Sequence, residues 1–177
     1  PLDLIRDDCV DDVRALAEAM VIRTGEEKDP HWNDQGANVI AALLAFICAE
    51  ITAEERNFSS LRDLIALEDL RNAAVESMKG KGGIYARMAG VIDQLEDKEK
   101  AGVLSTAHRH TTFLDSPAII KSVSKSSFDA RELLNGNMTI FLVLPPHQLE
   151  SQSRWLRLII ASLIRLIGRE GTQENKA

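Results

Sequence analysis

Apolar residues recur every three or four positions along most of the chain, and one segment near the end breaks that rhythm. Over 8–22, Val10, Val13, Leu16, Ala17, Met20 and Val21 share one helical face, the spacing of an amphipathic helix. Asp7, Asp8, Asp11 and Asp12 load its first turn with the sign the helix dipole favours, and Thr24-Gly25 stops it. Asp29-Pro30 opens a second helix, with Asp as cap and Pro in the first turn. Over 39–49 this helix is apolar on every side. It has no face to give to water, which predicts the central position in a bundle. Ser59-Ser60 reads as the cap of a helix through Leu61, Leu64, Ile65 and Leu67, and 68–79 reads as the next helix. Lys79-Gly80-Lys81-Gly82-Gly83 is a flexible break. Helices are predicted at 84–95 and 97–114, the second ending before Ser116-Pro117. The Ser- and Lys-rich stretch 118–128 reads as a connector, and 129–134 as one short helical turn.

After the turn signal Asn135-Gly136-Asn137 the period changes. Met138-Thr139-Ile140-Phe141-Leu142-Val143-Leu144 is β-rich and apolar on both faces, and ends at Pro145-Pro146. Such a run belongs in the middle of a parallel sheet covered by helices. A helix over 147–168 follows, so the tail reads as strand then helix, a piece of an α/β unit. One strand makes no sheet, and its partners are expected outside this sequence. The fold expected is mainly α, a helical bundle followed by a strand–helix remnant.

Composition fits that picture. The 177 residues are 45% hydrophobic and 27% charged, the balance of a globular chain able to bury a core. With aromatics at 5%, the core must be built from Leu, Ile, Ala and Val. The chain opens on Pro1-Leu2-Asp3 without an initiator Met and closes on a polar run, and so reads as an excerpt of a larger protein. Charge is unevenly spread: residues 1–70 carry 6 basic and 16 acidic side chains, residues 151–177 carry 5 and 2. An acidic front half repels a phosphate backbone, so only local patches could attract one. Cys9 and Cys48 are isolated, and read as buried thiols of a reducing compartment rather than as a disulfide. The longest apolar run has 11 residues, where a membrane span needs about 20.

Candidate chemistry is sparse. Gly80-Lys81-Gly82-Gly83 before a helix invites a phosphate-loop reading, but Lys81 is followed by Gly82 rather than Ser or Thr, and no strand precedes it. A plain interhelical turn is the better reading, and no ATP hydrolysis is expected of this piece alone. His108-Arg109-His110 could suggest a metal. Two residues apart, the histidines point to different sides of a helix, so a polar helix face fits better. No Ser, Cys or Thr has a base and an orienting acid at recognisable spacing, and no catalytic, cofactor or metal site is expected. Two basic groups remain. Lys79, Lys81, Arg87, Arg109, Lys121 and Lys125 surround the Gly-rich break and the connector, and form a patch if the helices bring them together; scattered solubility charges are the alternative. Arg154, Arg157, Arg165 and Arg169 share one side of the last helix, opposite Trp155, Ile159, Leu163 and Leu166. They read as a solvated face, or as a surface toward a neighbouring subunit or nucleic acid; an interfacial membrane helix is a third reading, disfavoured because the strand before it needs cover.

Several stretches resemble the TraG-type coupling proteins of conjugation and type IV secretion. Pro1-Leu2-Asp3 is similar to the end of the family's Asn-Pro-Leu-Asp segment. Arg23-Thr24-Gly25-Glu26-Glu27-Lys28-Asp29-Pro30-His31-Trp32-Asn33-Asp34 is similar to its Asp-Pro-x-Trp lead into a long helix. Arg109-His110 with Phe113-Leu114-Asp115-Ser116-Pro117 resembles the exit from the insertion. Ser127-Phe128-Asp129 and 138–146 resemble the return strand with its Leu-Pro-Pro end. The resemblance covers nearly the whole chain. It implies an all-α insertion domain over 1–126 and part of a RecA-like nucleotide-binding domain over 127–177. It further implies a hexameric ATPase using ATP and Mg in the intact protein, anchored in the bacterial inner membrane with this domain on the cytoplasmic face. The partners implied are a relaxase with single-stranded DNA, or secreted effector proteins. Recruitment of those substrates is one expectation, and a structural insertion that sets subunit packing is the alternative. A stand-alone helical enzyme or ligand-binding bundle is a third.

Overall fold

The chain is organised around one helix that has no polar side. In the computed structural model, which describes residues 10–27, 29–52, 55–136 and 138–174 with side chains to Arg169, that helix is α2 (His31–Glu50). Val39, Ile40, Leu43, Leu44 and Ile47 on it have no solvent exposure. Each contributes about 1.5–3 kcal/mol by burial. Packed against α2 are α1 (Val10–Met20), α3 (Phe58–Ala66), α4 (Glu68–Lys81), α5 (Gly83–Asp93) and α6 (Asp97–Thr111). The bundle expected from the apolar pattern is therefore present, with α2 at its centre. The Pro1-Leu2-Asp3 segment, Asp7, Asp8 and Cys9 lie outside the described residues. The Cys48 side chain is buried in α2.

Local chemistry explains the helix limits. Asp29 Oδ1 accepts a hydrogen bond from the His31 amide at 3.1 Å, as the Asp-Pro start implies. At α3 the cap sits two residues before Ser59: Asn57 Oδ1, not Ser59 or Ser60, accepts from the Ser59 and Ser60 amides at 2.8 and 3.3 Å. The Gly-rich break is a tight turn. Gly82 and Gly83 at φ of 76° and 58° reverse the chain between α4 and α5, a conformation open to glycine. Between α2 and α6 small residues permit close approach: a Cβ added to Gly102 would lie 2.6 Å from Trp32 Cζ3, and one added to Gly36 3.0 Å from Thr106 Cγ2.

Two expectations are corrected. The connector begins with a helix, α7 (Pro117–Val123), reached through a 3-10 turn at Thr112–Asp115. Pro117 stands at its start, where its missing N–H costs nothing, and Ile119 and Val123 turn into the core. The short turn expected at 129–134 is the 3-10 turn Ala130–Leu133. The predicted strand is not one: residues 138–144 form no helix, and no strand is present among the described residues. Burial nevertheless alternates along 138–144 with the period of two that an extended segment would show. Phe141 and Val143 are 82% and 80% exposed. The physical reason is that a strand exists through its neighbours, and no ladder partner adjoins this segment among the described residues.

The last helix, α8 (Ser153–Glu174), starts later than expected, after a 3-10 turn at Pro146–Gln148. It lies along α1, burying Leu158 and Leu166. Among the described residues, no helix is long and apolar enough to cross a membrane.

Candidate functional site

Two segments far apart in sequence, each carrying part of the family resemblance, meet at the start of α2. On one side is the run from Arg23 to Asp34, on the other the last turn of α6. The buried His110 ring donates from Nε2 to Asn33 Oδ1 at 2.9 Å, and the Arg109 guanidinium donates to the same oxygen at 3.3 Å. Periodicity brings this about. Val103, Ala107 and His110 share the buried face of α6, so His110, expected on a polar face, is a core residue at 3% exposure. His108 points the other way, as its spacing implied, and its Nε2 accepts from Arg62 at 3.1 Å.

The surrounding carboxylates are already engaged. Arg23 donates to both Glu18 and Asp34, and these hydrogen bonds raise its pKa. Glu27 accepts from the backbone amides of Thr24 and Gly25 at 2.5 and 2.9 Å, and the Thr24 amide above all holds its carboxyl below the usual range. The start of α8 adds two cations, Arg154 in its first turn and Arg157 one turn on. Arg157 reaches the carbonyls of Val21 and Glu18 at 3.4 Å each, at the end of α1. Arg154 is half-buried, and its Nε has no partner among the described residues. Burial first, then the charges of Arg109 and Arg157, pull the Arg154 pKa below its ordinary value. Burial and the neighbouring Arg109, Arg154 and Arg23 likewise lower His110 to about 4. The junction gathers four arginines, Arg23, Arg109, Arg154 and Arg157, around three carboxylates, and it is open to solvent at Arg109 and Arg157.

The six-residue basic patch is divided by the bundle. Lys79 pairs with Glu76 and Asp93 at 2.9 and 3.0 Å. Lys81 pairs with Glu50 at 2.5 Å and lies over the Tyr85 ring. Glu50 and Asn33 are at opposite ends of α2, about 26 Å apart at 1.5 Å per residue, so Lys79 and Lys81 belong to one end of the molecule and Arg109 to the other. Arg87 is exposed on α5, and Lys121 and Lys125 are exposed beyond α6. On α8, Arg165 holds Asp12 of α1 at 2.5 Å and Arg169 bonds the same carboxylate. Arg154 and Arg157 thus join Arg109, while Arg165 and Arg169 tie α8 to α1.

Sequence reasoning missed Asn33, His110 and the clamp on Arg62. That guanidinium, 8% exposed, donates to Asp115, Thr111 and the His108 carbonyl. It also missed a cavity of about 420 Å³ between the 122–131 stretch, Ile140, Leu142 and the Trp155, Ile159 and Leu163 side of α8. The residues present do not fit ATP with Mg. Lys81, in the glycine-rich turn, ends a helix and is bound to Glu50, and no three His, Cys, Asp or Glu side chains converge among the described residues.

Comparisons agree with the resemblance carried by these segments. The family model described as Type IV secretory system Conjugative DNA transfer matches residues 1–177. The type IV secretion system-coupling protein VirD4 of Bartonella quintana (strain Toulouse) is 26% identical over 141 residues, which cover 76% of this chain and 22% of the relative. VirD4 of Bartonella henselae shows the same identity and coverage. The chain thus spans about a fifth of the length of the curated relatives it matches. No solved structure matches it.

Proposed function

The chain belongs to the type IV secretory system conjugative DNA-transfer family, and from that premise we propose that it is the all-α domain of a coupling protein, recruiting a DNA–relaxase complex or secreted proteins to a hexameric, ATP-driven DNA pump. The observation that carries this reading is the junction at the start of α2. There the segments at 23–34 and 109–117 meet beside the start of α8, with Arg109 and Arg157 open to solvent and Arg154 half-buried, in an otherwise acidic protein. A cationic spot on an acidic body suits selective capture rather than indiscriminate nucleic-acid binding. In this reading ATP and Mg belong to the longer protein, residues 127–177 are a piece of its RecA-like motor, and the domain faces the cytoplasm at the bacterial inner membrane.

One feature favours a second reading, in which the domain sets subunit packing. Ile160, Ile164 and Ile167 form an exposed stripe on α8, a face that a neighbouring subunit could cover. The experiment is a titration of the chain with relaxase and with single-stranded DNA at several salt concentrations. Recruitment gives binding to at least one, weakening as salt rises. Absence of binding to both at low salt rejects it.

A further inference from the structure

The junction holds three arginines in an arrangement that works against itself. Arg154 occupies the first turn of α8, the end where the helix dipole already puts positive charge, and no acidic residue shares that turn. Its guanidinium is half-buried, and its Nε is shielded from water without a hydrogen-bond partner among the described residues. Arg157, one turn on, bonds only backbone carbonyls, and at long distance. Among the described residues, Arg109 bonds only the Asn33 amide oxygen. None of the three has a carboxylate partner among the described residues, because Glu18 and Asp34 are taken by Arg23 and Glu27 by backbone amides. Elsewhere on the same helix Arg165 and Arg169 share Asp12, so α8 is not short of acidic partners where pairing serves the fold.

We propose that Arg109, Arg154 and Arg157 form a binding site for a phosphate group. A tetrahedral oxyanion between them would satisfy the orphaned Nε, offset the mutual repulsion and complement the α8 dipole at once. Guanidinium forks match phosphate oxygens in pairs, and helix N-termini favour anions for the same electrostatic reason. The site deepens the recruitment reading and rests on it only for the source of the phosphate, the backbone of a single nucleic-acid strand. Burial first, and then the charges of Arg109 and Arg157, depress the pKa of Arg154.

The test follows the arginine Nε–H resonances of the chain by two-dimensional NMR during titration with inorganic phosphate, and with a short single-stranded oligonucleotide as a second arm. Saturable shifts at Arg154 and Arg157 are expected with phosphate and not with chloride at equal ionic strength. His110, freed from part of the cationic field, should titrate at higher pH in phosphate. Arg109→Ser and Arg157→Ser remove exposed side chains, and each should weaken phosphate binding about tenfold, the worth of one charge-assisted hydrogen bond. Arg87→Ser should not alter it. An oligonucleotide that displaces phosphate confirms the strand as source, and one that binds without displacing it overturns that assignment. Phosphate that shifts no arginine signal saturably, or binds both serine variants as tightly as the parent chain, overturns the site even where relaxase is captured. Phosphate binding without capture of relaxase or DNA keeps the site and rejects recruitment.

Discussion

The guanidinium of Arg62 closes on the carboxylate of Asp115 through two hydrogen bonds of 2.6 Å, joining α3 to the exit from α6 across 53 residues of chain. Asp115 belongs to the Phe-Leu-Asp-Ser-Pro run that resembles the coupling-protein family, so this part of the motif has a structural task. It holds a buried cation where the bundle ends. Arg62 holds the Asp115 carboxyl below its ordinary pKa.

Removing that charge should loosen the exit. Asp115→Asn leaves Arg62 buried with weaker acceptors and is expected to cost about 1–3 kcal/mol, the lower part of the range because the Asp115 side chain is 52% exposed. Urea unfolding of the two chains measures it.

Glycine at 102 should be irreplaceable, and glycine at 80 should not. Gly102→Ala drives a methyl into the Trp32 ring and should destabilise by about 1–3 kcal/mol, although alanine favours helix. At Gly80, inside α4, an added Cβ meets nothing within 4 Å, and Gly80→Ala should stabilise by about 0.5–1 kcal/mol. Thermal unfolding of both variants separates packing from propensity.

Acid should weaken the fold through His110 before it touches Asp115. Burial above all holds His110 at about 4, against the 6.5 of an ordinary histidine. The unfolded chain therefore takes up a proton below the higher value while the folded chain does not. Stability from this group is complete above the unfolded pKa, and falls as pH drops from there toward about 4, by at most about 3 kcal/mol. The Asp115 contribution has the other window: present above the ordinary carboxylate pKa of 3.8 and lost as pH falls through its lower folded value. His110→Gln should flatten the stability profile between pH 4 and 6.5 and leave the more acidic limb intact.

The helices were legible where burial decides. A helix apolar on all sides could only be central, and α2 is. What stayed hidden depends on which elements touch. His110 looked polar by its chemistry, although Val103 and Ala107 mark its face as internal. The basic patch could not be seen to divide, because the division is set by the length of α2. At 117–123 serine and lysine masked a helix whose signal lay in Pro117, Ile119 and Val123. The segment at 138–144 alternates in burial but lacks the neighbours that would make it a strand.

Those exposed side chains should have a measurable consequence. With Phe141 and Val143 facing water, the chain should self-associate at high concentration through unpaired backbone and apolar surface. Sedimentation velocity should show the association, and Phe141→Ser with Val143→Ser should reduce it. A strictly monomeric profile of the parent chain at high concentration counts against this.

Substrate recruitment is tested most directly in the intact coupling protein, by measuring DNA transfer after charge reversal at the junction. With Arg109→Glu and Arg157→Glu, transfer should fall by tenfold or more (about two charge-assisted contacts), while hexamer assembly and ATP hydrolysis persist. Transfer at the parental level, or a loss that appears only together with failed hexamer assembly, would contradict recruitment through this surface.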